Sequence, residues 1–413
     1  MTINSPRGTK DILPPASFTW QKVEKAARDI CRKYNYKEIR TPVFEYTELF
    51  SRGIGEATDI VEKEMYTFTD RGDRSITLRP EMTASVVRSF LENKLYGGAQ
   101  PTKLYYMGPM FRYERPQSGR YRQFHQFGVE VLGSNNPALD VELMVMGINF
   151  LKELGLANFF VELNSIGCPD CRPSYIESLQ DYFAEHSVNL CDDCKRRLKK
   201  NPLRILDCDE CQNIIEEAPV ILDYICDDCS QHFSVVTEKL DILEVDYDIT
   251  PYLVRGLDYY TNTVFEVKSE DLGAQDAIFS GGRYNGLVEE IGNREVPGAG
   301  WALGIERLLL LLDKDATKIK PGLDVYIITI GKKAENYSLQ LMRKLRKTGF
   351  SVDTDYLDRS VGSQMKDADR KDSKYCIIIG ENELEENKVT LRNMSSGEEN
   401  LVDQDNIINK LKV

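Results

Sequence analysis

Apolar positions along this chain follow two rhythms, and the switches between them mark its elements. KVEKAARDICRKY (22–34) and residues 139–155 carry helical spacing. KLYYMGPMFRYE (103–114) and QFHQFGVEVLG (123–133) read as two strands around a polar, glycine-containing loop, PQSGRYR (116–122). FFVELNSIG (159–167) reads as another strand. Residues 250–312 are strand-rich and glycine-rich, ending in GIERLLLLLD, which predicts a buried helix. DKDATKIKPG (313–322) predicts a polar linker. A new pattern then begins: strand DVYIITI (324–330), helix AENYSLQLMRKLRKTG (334–349), strand SVDTDYL, a helix near 361–372 and strand YCIIIG (375–380). That β-α-β-α-β order predicts a separate small α/β domain with a mostly parallel core. No internal repeat or low-complexity segment interrupts the pattern. Four segments result: 1–167, a cysteine-rich stretch 168–235, 236–320, and 324–413.

Composition narrows the class. The chain has 413 residues, 41% hydrophobic and 29% charged, with a formal charge of −13. This suits a soluble globular protein of two or three domains. No apolar run approaches the eighteen or so residues that a membrane span needs, and the N-terminal MTINSPRGTKDILPP lacks the apolar core of an export signal. A cytoplasmic protein without membrane partners is expected.

Cysteine usage adds chemistry. Eight of the ten cysteines form four C-x-x-C pairs: Cys168/Cys171, Cys191/Cys194, Cys208/Cys211 and Cys226/Cys229. Cys31 and Cys376 stand alone in apolar surroundings. A reducing compartment disfavours disulfides, and two C-x-x-C pairs complete one tetrahedral Cys₄ zinc site. Four pairs can fill two structural sites; a small insertion with free thiols is the plainer alternative. No C-x-x-C opens a helix after an apolar strand, as a thioredoxin-like redox pair would.

Four constellations remain. The 103–127 hairpin sets Lys103, Arg112, Arg115, Arg120 and Arg122 against one acid, Glu114, a local +4 suited to phosphate. Arg112 is expected inside an apolar strand, so it needs a partner: Glu114, Glu130 or a bound phosphate. TLRPEMTASVVR (77–88), with Glu81 and Thr83, reads on its own as a capped helix start. LVRGLDYYTNTVFEV (253–267) packs Arg255, Asp258, Tyr259, Tyr260 and Thr261 among apolar residues, which fits a polar small-molecule pocket. SGGRYNGLVEEIG (280–292) and GAGWALGIERLLLLL (298–312) contribute Gly281, Gly282, Gly298, Gly300 and Gly304, read as places where backbone approaches a ligand, and Arg307 at a helix start. P-loop, H-E-x-x-H and G-x-S-x-G motifs are absent, which removes those enzyme classes.

Together these segments resemble the histidyl-tRNA synthetases, class II aminoacyl-tRNA synthetases, over nearly the whole chain. PRGTKDILP (6–14) resembles the family's N-terminal signature, and TPVFEYTELF (41–50) its motif 1, which builds the dimer interface. MFRYERPQSGRYRQFHQFGVE (110–130) resembles motif 2 and GAGWALGIERL (298–308) motif 3. LVRGLDYYT and SGGRYNGL resemble two histidine-specific segments. The implied fold is α+β: an antiparallel class II sheet flanked by helices, a Cys-rich insertion, and a C-terminal α/β anticodon-binding domain (324–413).

The resemblance also implies an activity. ATP and Mg²⁺ activate L-histidine to the adenylate, which is transferred to the 3′ end of tRNA(His). Arg112 and Arg255 would stabilise the α-phosphate; Arg307 would hold the γ-phosphate, with Glu114 and Gly304 completing the ATP site. Glu81, Thr83 and Gln126 would hold the α-amino group. Glu130 and Tyr260 would grip the imidazole beside Tyr259 and Tyr284, and Arg255 would also belong to the histidine site. Fixed guanidinium groups stabilise phosphoryl charge without proton transfer. A carboxylate and a phenol bonding both ring nitrogens would reject other amino acids without editing. Arg115 and Gln117 would meet the tRNA acceptor end, and a homodimer follows from motif 1. The family does not require four C-x-x-C pairs, so zinc rests on their spacing alone.

Two other readings compete. A non-catalytic regulatory subunit of histidine biosynthesis shares the catalytic fold, but such subunits lack the anticodon domain and degrade the RGLDYYT segment; both are intact here. A zinc-bearing RNA-binding protein leaves Arg112, Arg255 and Arg307 unexplained. Charge location then matters. Residues 168–229 hold seven basic and fourteen acidic residues, and residues 322–413 hold fifteen and sixteen. Helix 332–347 carries six basic residues against one acid. Binding of tRNA is thus expected at a few patches and to fall steeply with salt.

Overall fold

The computed structural model describes residues 3–55, 58–273, 276–312 and 322–411. The chain divides into two compact units, Met1–Thr317 and Lys318–Val413. The linker expected at 313–322 lies, apart from Gly322, outside the described residues. Among the described residues, no helix is long and apolar enough to cross a membrane.

The first unit contains strands β1 (Lys37–Glu38), β2 (Phe44–Tyr46), β3 (Tyr66–Thr69), β4 (Ser75–Leu78), β5 (Thr102–Phe111), β6 (Gln123–Leu132), β7 (Phe160–Ser165), β8 (Asp248–Ile249), β9 (Thr261–Lys268), β10 (Ala277–Arg283) and β11 (Gly298–Gly304). Eight of them form one sheet in the order β1-β5-β6-β11-β10-β9-β7-β8. Its six central strands are antiparallel, and only the short outer strands β1 and β8 pair in parallel. The family-implied α+β architecture is thus present. A separate three-stranded sheet runs β2-β4-β3.

Strand alternation sorts the large sheet's two faces. Phe127, Val129 and Val131 of β6 join Trp301 and Leu303 of β11 and Phe265 and Val267 of β9 in one core. Helices Ala16–Lys33 and Ala138–Glu153 cover that face, contributing Val23, Ala27, Leu143 and Phe150. The intervening residues of the same strands, among them Gln126, Gly128 and Glu130, occupy the opposite face. A buried ion pair ties the layers: Arg283 of β10 meets Asp140 at 2.8 Å, and both side chains are fully enclosed.

The helix at 305–311 departs from expectation. Ile305 and Leu308 are buried, but Leu310 is half exposed, so this helix is amphipathic and not wholly buried. Arg112 also shifts: β5 ends at Phe111, and Arg112 follows it, its backbone N–H donating to Arg122 O at 3.0 Å.

The cysteine-rich stretch folds as short helices, including Arg172–Glu185, Asp192–Lys200 and Asp227–Ile242. Its residues Tyr175, Leu179, Phe183 and Ile205 share a core with Tyr259 and Tyr260, just before β9, and Tyr284, just after β10.

In the second unit, β12 (Val325–Thr329), β13 (Val352–Thr354), β14 (Tyr375–Ile379), β15 (Lys388–Asn393) and β16 (Glu399–Asp403) form a sheet ordered β13-β12-β14-β15-β16. The first three are parallel, as the pattern predicts. The last two are antiparallel additions that it does not predict. Helices Lys332–Lys347 and Val361–Arg370 match the expected helices to within a few residues.

Candidate active site

The polar face of the large sheet opens into a cleft of about 520 Å³. Its lining includes Glu81, Thr83, Arg112, Glu114, Gln126, Glu130, Arg255, Tyr259, Tyr260, Tyr284, Gly304 and Arg307. Every residue assigned to ATP or histidine from the sequence therefore faces one cavity. Arg115 and Gln117 lie instead in the exposed part of the β5–β6 loop, where Gln117 and Arg120 exchange backbone hydrogen bonds at 3.0 and 3.2 Å.

Glu130 is the most enclosed acid of the cleft, 1% exposed. Its Oε1 accepts from the Thr83 hydroxyl at 2.7 Å and from the Tyr106 hydroxyl at 3.2 Å. Its Oε2 accepts from the Tyr284 hydroxyl at 2.5 Å. These partners come from a helix start, β5 and the turn after β10, so the carboxylate joins three elements. Burial raises its pKa to about 8, against the pull of those hydroxyls.

Glu81 sits just before helix Thr83–Glu92, and its carboxylate accepts from the backbone N–H of Thr83 at 2.6 Å and of Ala84 at 3.0 Å. The capped helix start read from the sequence is present, and the same carboxylate also borders the cleft. Burial raises its pKa as well. The Tyr259 and Tyr260 rings lie with centroids 4.7 Å apart, tilted 42° to each other, and Tyr259 meets Tyr284 edge-on at 5.6 Å.

Three arginines supply the positive charge. Arg255 is paired with Glu266 of β9 and donates to the Ser280 hydroxyl of β10, two residues that lie opposite each other in the sheet. Burial opposes its charge, but Glu266 and Tyr260 outweigh burial and raise its pKa. Arg112 donates from Nε to Pro80 O at 2.8 Å and lies 3.8 Å from Glu114. Of the partners expected for it, Glu114 is thus present, and Glu130 is bonded by hydroxyls instead. Arg307 donates to Ala277 O at 2.9 Å. Burial, then the neighbouring Arg120, lower its pKa, so its charge is held at a cost that a polyanion would offset. Glu306 beside it accepts from the His125 backbone N–H at 2.8 Å and contacts the His125 ring at 2.9 Å, fixing this helix to β6.

Among the described residues that line the cleft, three carry a shielded side-chain atom with no protein partner: Gln126 Oε1, Arg255 Nε and Trp301 Nε1, the last on a ring packed into the core of the opposite face. Buried polar groups are normally paired. One acceptor and one donor left open in the same cavity suit a ligand that carries both an ammonium and an anionic group.

The glycines read as ligand-approach points mostly serve the protein's own packing. A Cβ on Gly300 would lie 2.0 Å from Glu130 Oε2, and one on Gly281 would lie 2.2 Å from Gly300 O. Only around Gly304 is there space, with no atom nearer than Arg307 Cβ at 3.9 Å. The sequence reading also missed Tyr106, Asp207, Glu266, Lys268 and Asp276, which line the cleft. For Tyr106 a signal existed: it faces Gly128 across β5 and β6, the pairing of a large side chain with none.

The eight paired cysteines form two clusters, Cys168/Cys171/Cys226/Cys229 and Cys191/Cys194/Cys208/Cys211. Within each cluster all four sulfurs lie within 4.8 Å of one another. The pairing is nested, first C-x-x-C with fourth and second with third.

Comparison with known proteins follows the same lines. A family model described as histidyl-tRNA synthetase matches residues 8–170 and 203–308, and one described as anticodon binding domain matches 324–413. The chain is 59% identical to a histidine--tRNA ligase of Halothermothrix orenii, covering 100% of this chain and 99% of that one. It is 53% identical to a histidine--tRNA ligase of Desulforamulus reducens, covering 97% and 96%. The solved structure of apo Staphylococcus aureus histidyl-tRNA synthetase superposes with a TM-score of 0.85 at 42% identity, covering 100% of both chains.

Proposed function

The chain belongs to the histidyl-tRNA synthetase family, and we propose that the cleft residues divide the family's reaction among them as follows. The enzyme joins histidine to tRNA at the expense of ATP. The regulatory-subunit reading is not favoured, because full-length similarity at this level runs to ligases.

The unpartnered atoms Gln126 Oε1 and Arg255 Nε, on two residues that line the cleft, carry the assignment. An amino acid offers an ammonium to the first and a carboxylate to the second. Glu81 adds negative charge near the ammonium, with Thr83 beside it. Glu130 and Tyr260 meet the imidazole nitrogens, framed by Tyr259 and Tyr284. In the activation step the histidine carboxylate oxygen attacks the α-phosphorus, and the bond to the pyrophosphate oxygen breaks. Arg255 and Arg112 face the charge that gathers on the phosphoryl oxygens, while Arg307 holds the departing end. Glu114, Glu266 and Asp276 are hard oxygen donors in the same cleft, which fits Mg²⁺, the ion that offsets polyphosphate charge. Gly304 leaves room beside Arg307 for ATP.

Transfer to tRNA(His) would use the exposed Arg115 and Gln117 at the acceptor end and the 324–413 domain at the anticodon. A homodimer is proposed through 41–50, where β2 is a sheet edge and Phe44 and Tyr46 are more than half exposed. Each thiol cluster is proposed to hold one structural zinc ion, since four cysteines meeting at one point suit a tetrahedral site.

The test is histidine-dependent exchange of pyrophosphate with ATP in the presence of Mg²⁺. Exchange well above that of Arg255→Ala is expected, and exchange no greater than that variant's overturns the assignment.

A further inference from the structure

The thiol clusters lie next to the segment that supplies Arg255 and Tyr260. Cys171 is followed directly by Arg172, whose Nη2 donates to the backbone carbonyl of Tyr260 at 2.6 Å. Asn262, two residues on, points its amide at Cys229 Sγ at 3.8 Å. Its backbone N–H donates to Gly167 O at 2.8 Å, next to Cys168. The second cluster reaches the other end of the same segment. Cys194 lies on helix Asp192–Lys200, from which Arg197 donates to Arg204 O at 3.1 Å. Arg204 is buried, in a turn that leads into Cys208, and its Nη1 donates to Arg255 O at 3.2 Å.

We propose that the two clusters position the active site: each fixes one arginine, and Arg172 and Arg204 clamp opposite ends of residues 255–260. This rests on the zinc reading above. Sulfur spacing supports that reading, because four sulfurs about 2.3 Å from a tetrahedral ion lie about 3.8 Å apart. Here Cys171 and Cys229 are 3.8 Å apart, as are Cys191 and Cys208.

The clamp acts on the backbone. Neither guanidinium lends its charge to the substrates; each bonds a carbonyl of a residue whose side chain does the work. Arg172 governs where Tyr260 stands and therefore the grip on histidine. Arg204 governs where Arg255 stands and therefore charge stabilisation during transfer. Shifts of about 1 Å in such groups can cost a hundredfold in rate. Arg172 and Arg204 are positioning residues for the two steps, and the ions hold them.

The experiment uses the full-length protein purified without chelators, with metal measured by atomic emission and exchange kinetics measured alongside. Two zinc ions per chain are expected, one per cluster. Arg172→Ala should keep both ions and raise the histidine KM at least fivefold, with little change in the ATP KM. Arg204→Ala should keep both ions and lower kcat at least tenfold, and, because Arg255 also meets the histidine carboxylate, raise the histidine KM with it. If either variant fails to fold by circular dichroism, the Met substitution at that position, which keeps the side-chain bulk but has no donor, gives the same readout. Two zinc ions with parental kinetics in both variants overturn the clamp and leave the zinc reading standing. Zinc near zero overturns the zinc reading and the clamp with it.

Discussion

The Tyr284 hydroxyl donates to Glu130 Oε2 at 2.5 Å, in a site where neither side chain reaches solvent. In the proposed assignment, Tyr284 holds the carboxylate in place for the imidazole. Tyr284→Phe removes one of three protein donors to it and leaves a buried oxygen short of a partner, a loss of about 1–3 kcal/mol. The histidine KM should rise about tenfold while the ATP KM stays near parental, read by pyrophosphate exchange at varied substrate. A matched rise in both constants would place Tyr284 in general packing.

Glu130 also makes stability depend on pH. Burial raises its folded pKa to about 8, against an ordinary value of 4.5. Between those values the folded state binds more protons than the unfolded chain, so unfolding free energy falls as pH rises. The stabilisation is complete below about pH 4.5 and is lost as pH climbs through about 8. Glu130→Gln has no such proton to lose. Without histidine, its Tm relative to the parent should therefore increase between pH 5 and pH 8. A constant difference in thermal melts across that range would refute the raised pKa.

Removing a fixed cation separates binding from chemistry. Arg112→Ala and Arg307→Ala should each lower kcat for exchange about 10²–10³-fold, the usual cost of losing one preorganised charge-stabilising group. The histidine KM should move far less. Single-turnover adenylate formation, followed by quenched flow, distinguishes this from slow product release.

Arg115 lies in the exposed hairpin loop, outside the cleft. Arg115→Ala should slow aminoacylation through a higher tRNA KM and lessen the salt slope of tRNA binding by about one. Filter binding over a range of salt concentrations checks it. An unchanged slope would remove Arg115 from the RNA contact.

Gly300→Ala tests the packing beneath Glu130. The added methyl would sit 2.0 Å from Glu130 Oε2 and 2.3 Å from Val129 O, and the latter is backbone that cannot swing away. Overpacking of this kind costs about 1–3 kcal/mol. A lower Tm and a lost response to histidine are expected together, by melting with and without the amino acid.

The hairpin was legible because its alternation is strict: Phe127 and Val129 face the core while Gln126 and Glu130 face the cleft. The RGLDYYT segment was legible because so many hydrogen-bonding side chains crowd an apolar neighbourhood. Glu266 and Asp207 were not, since a lone acid on a strand or turn looks the same whether it faces water or a cavity. Glycine was misread at 281 and 300 for a related reason: sequence shows that space is needed, not whether substrate or neighbouring protein fills it. The strands β15 and β16 escaped because each is short and buries few side chains, Val389 and Leu391 in the first and Val402 in the second. The C-x-x-C spacing pointed to thiols that come together, but their nesting depends on where the intervening helices turn.

That nesting imposes an order on assembly. The Cys194–Cys208 span lies wholly inside the Cys171–Cys226 span, like one bracket within another. Chain-closure entropy grows with the logarithm of span, so tying the inner bracket first shortens the path that the outer one must still close. As the chain leaves the ribosome, Cys168 and Cys171 emerge first yet meet their partners last. With one ion per cluster as proposed, the outer site, which reaches Tyr260 through Arg172, is therefore expected to close after the inner one.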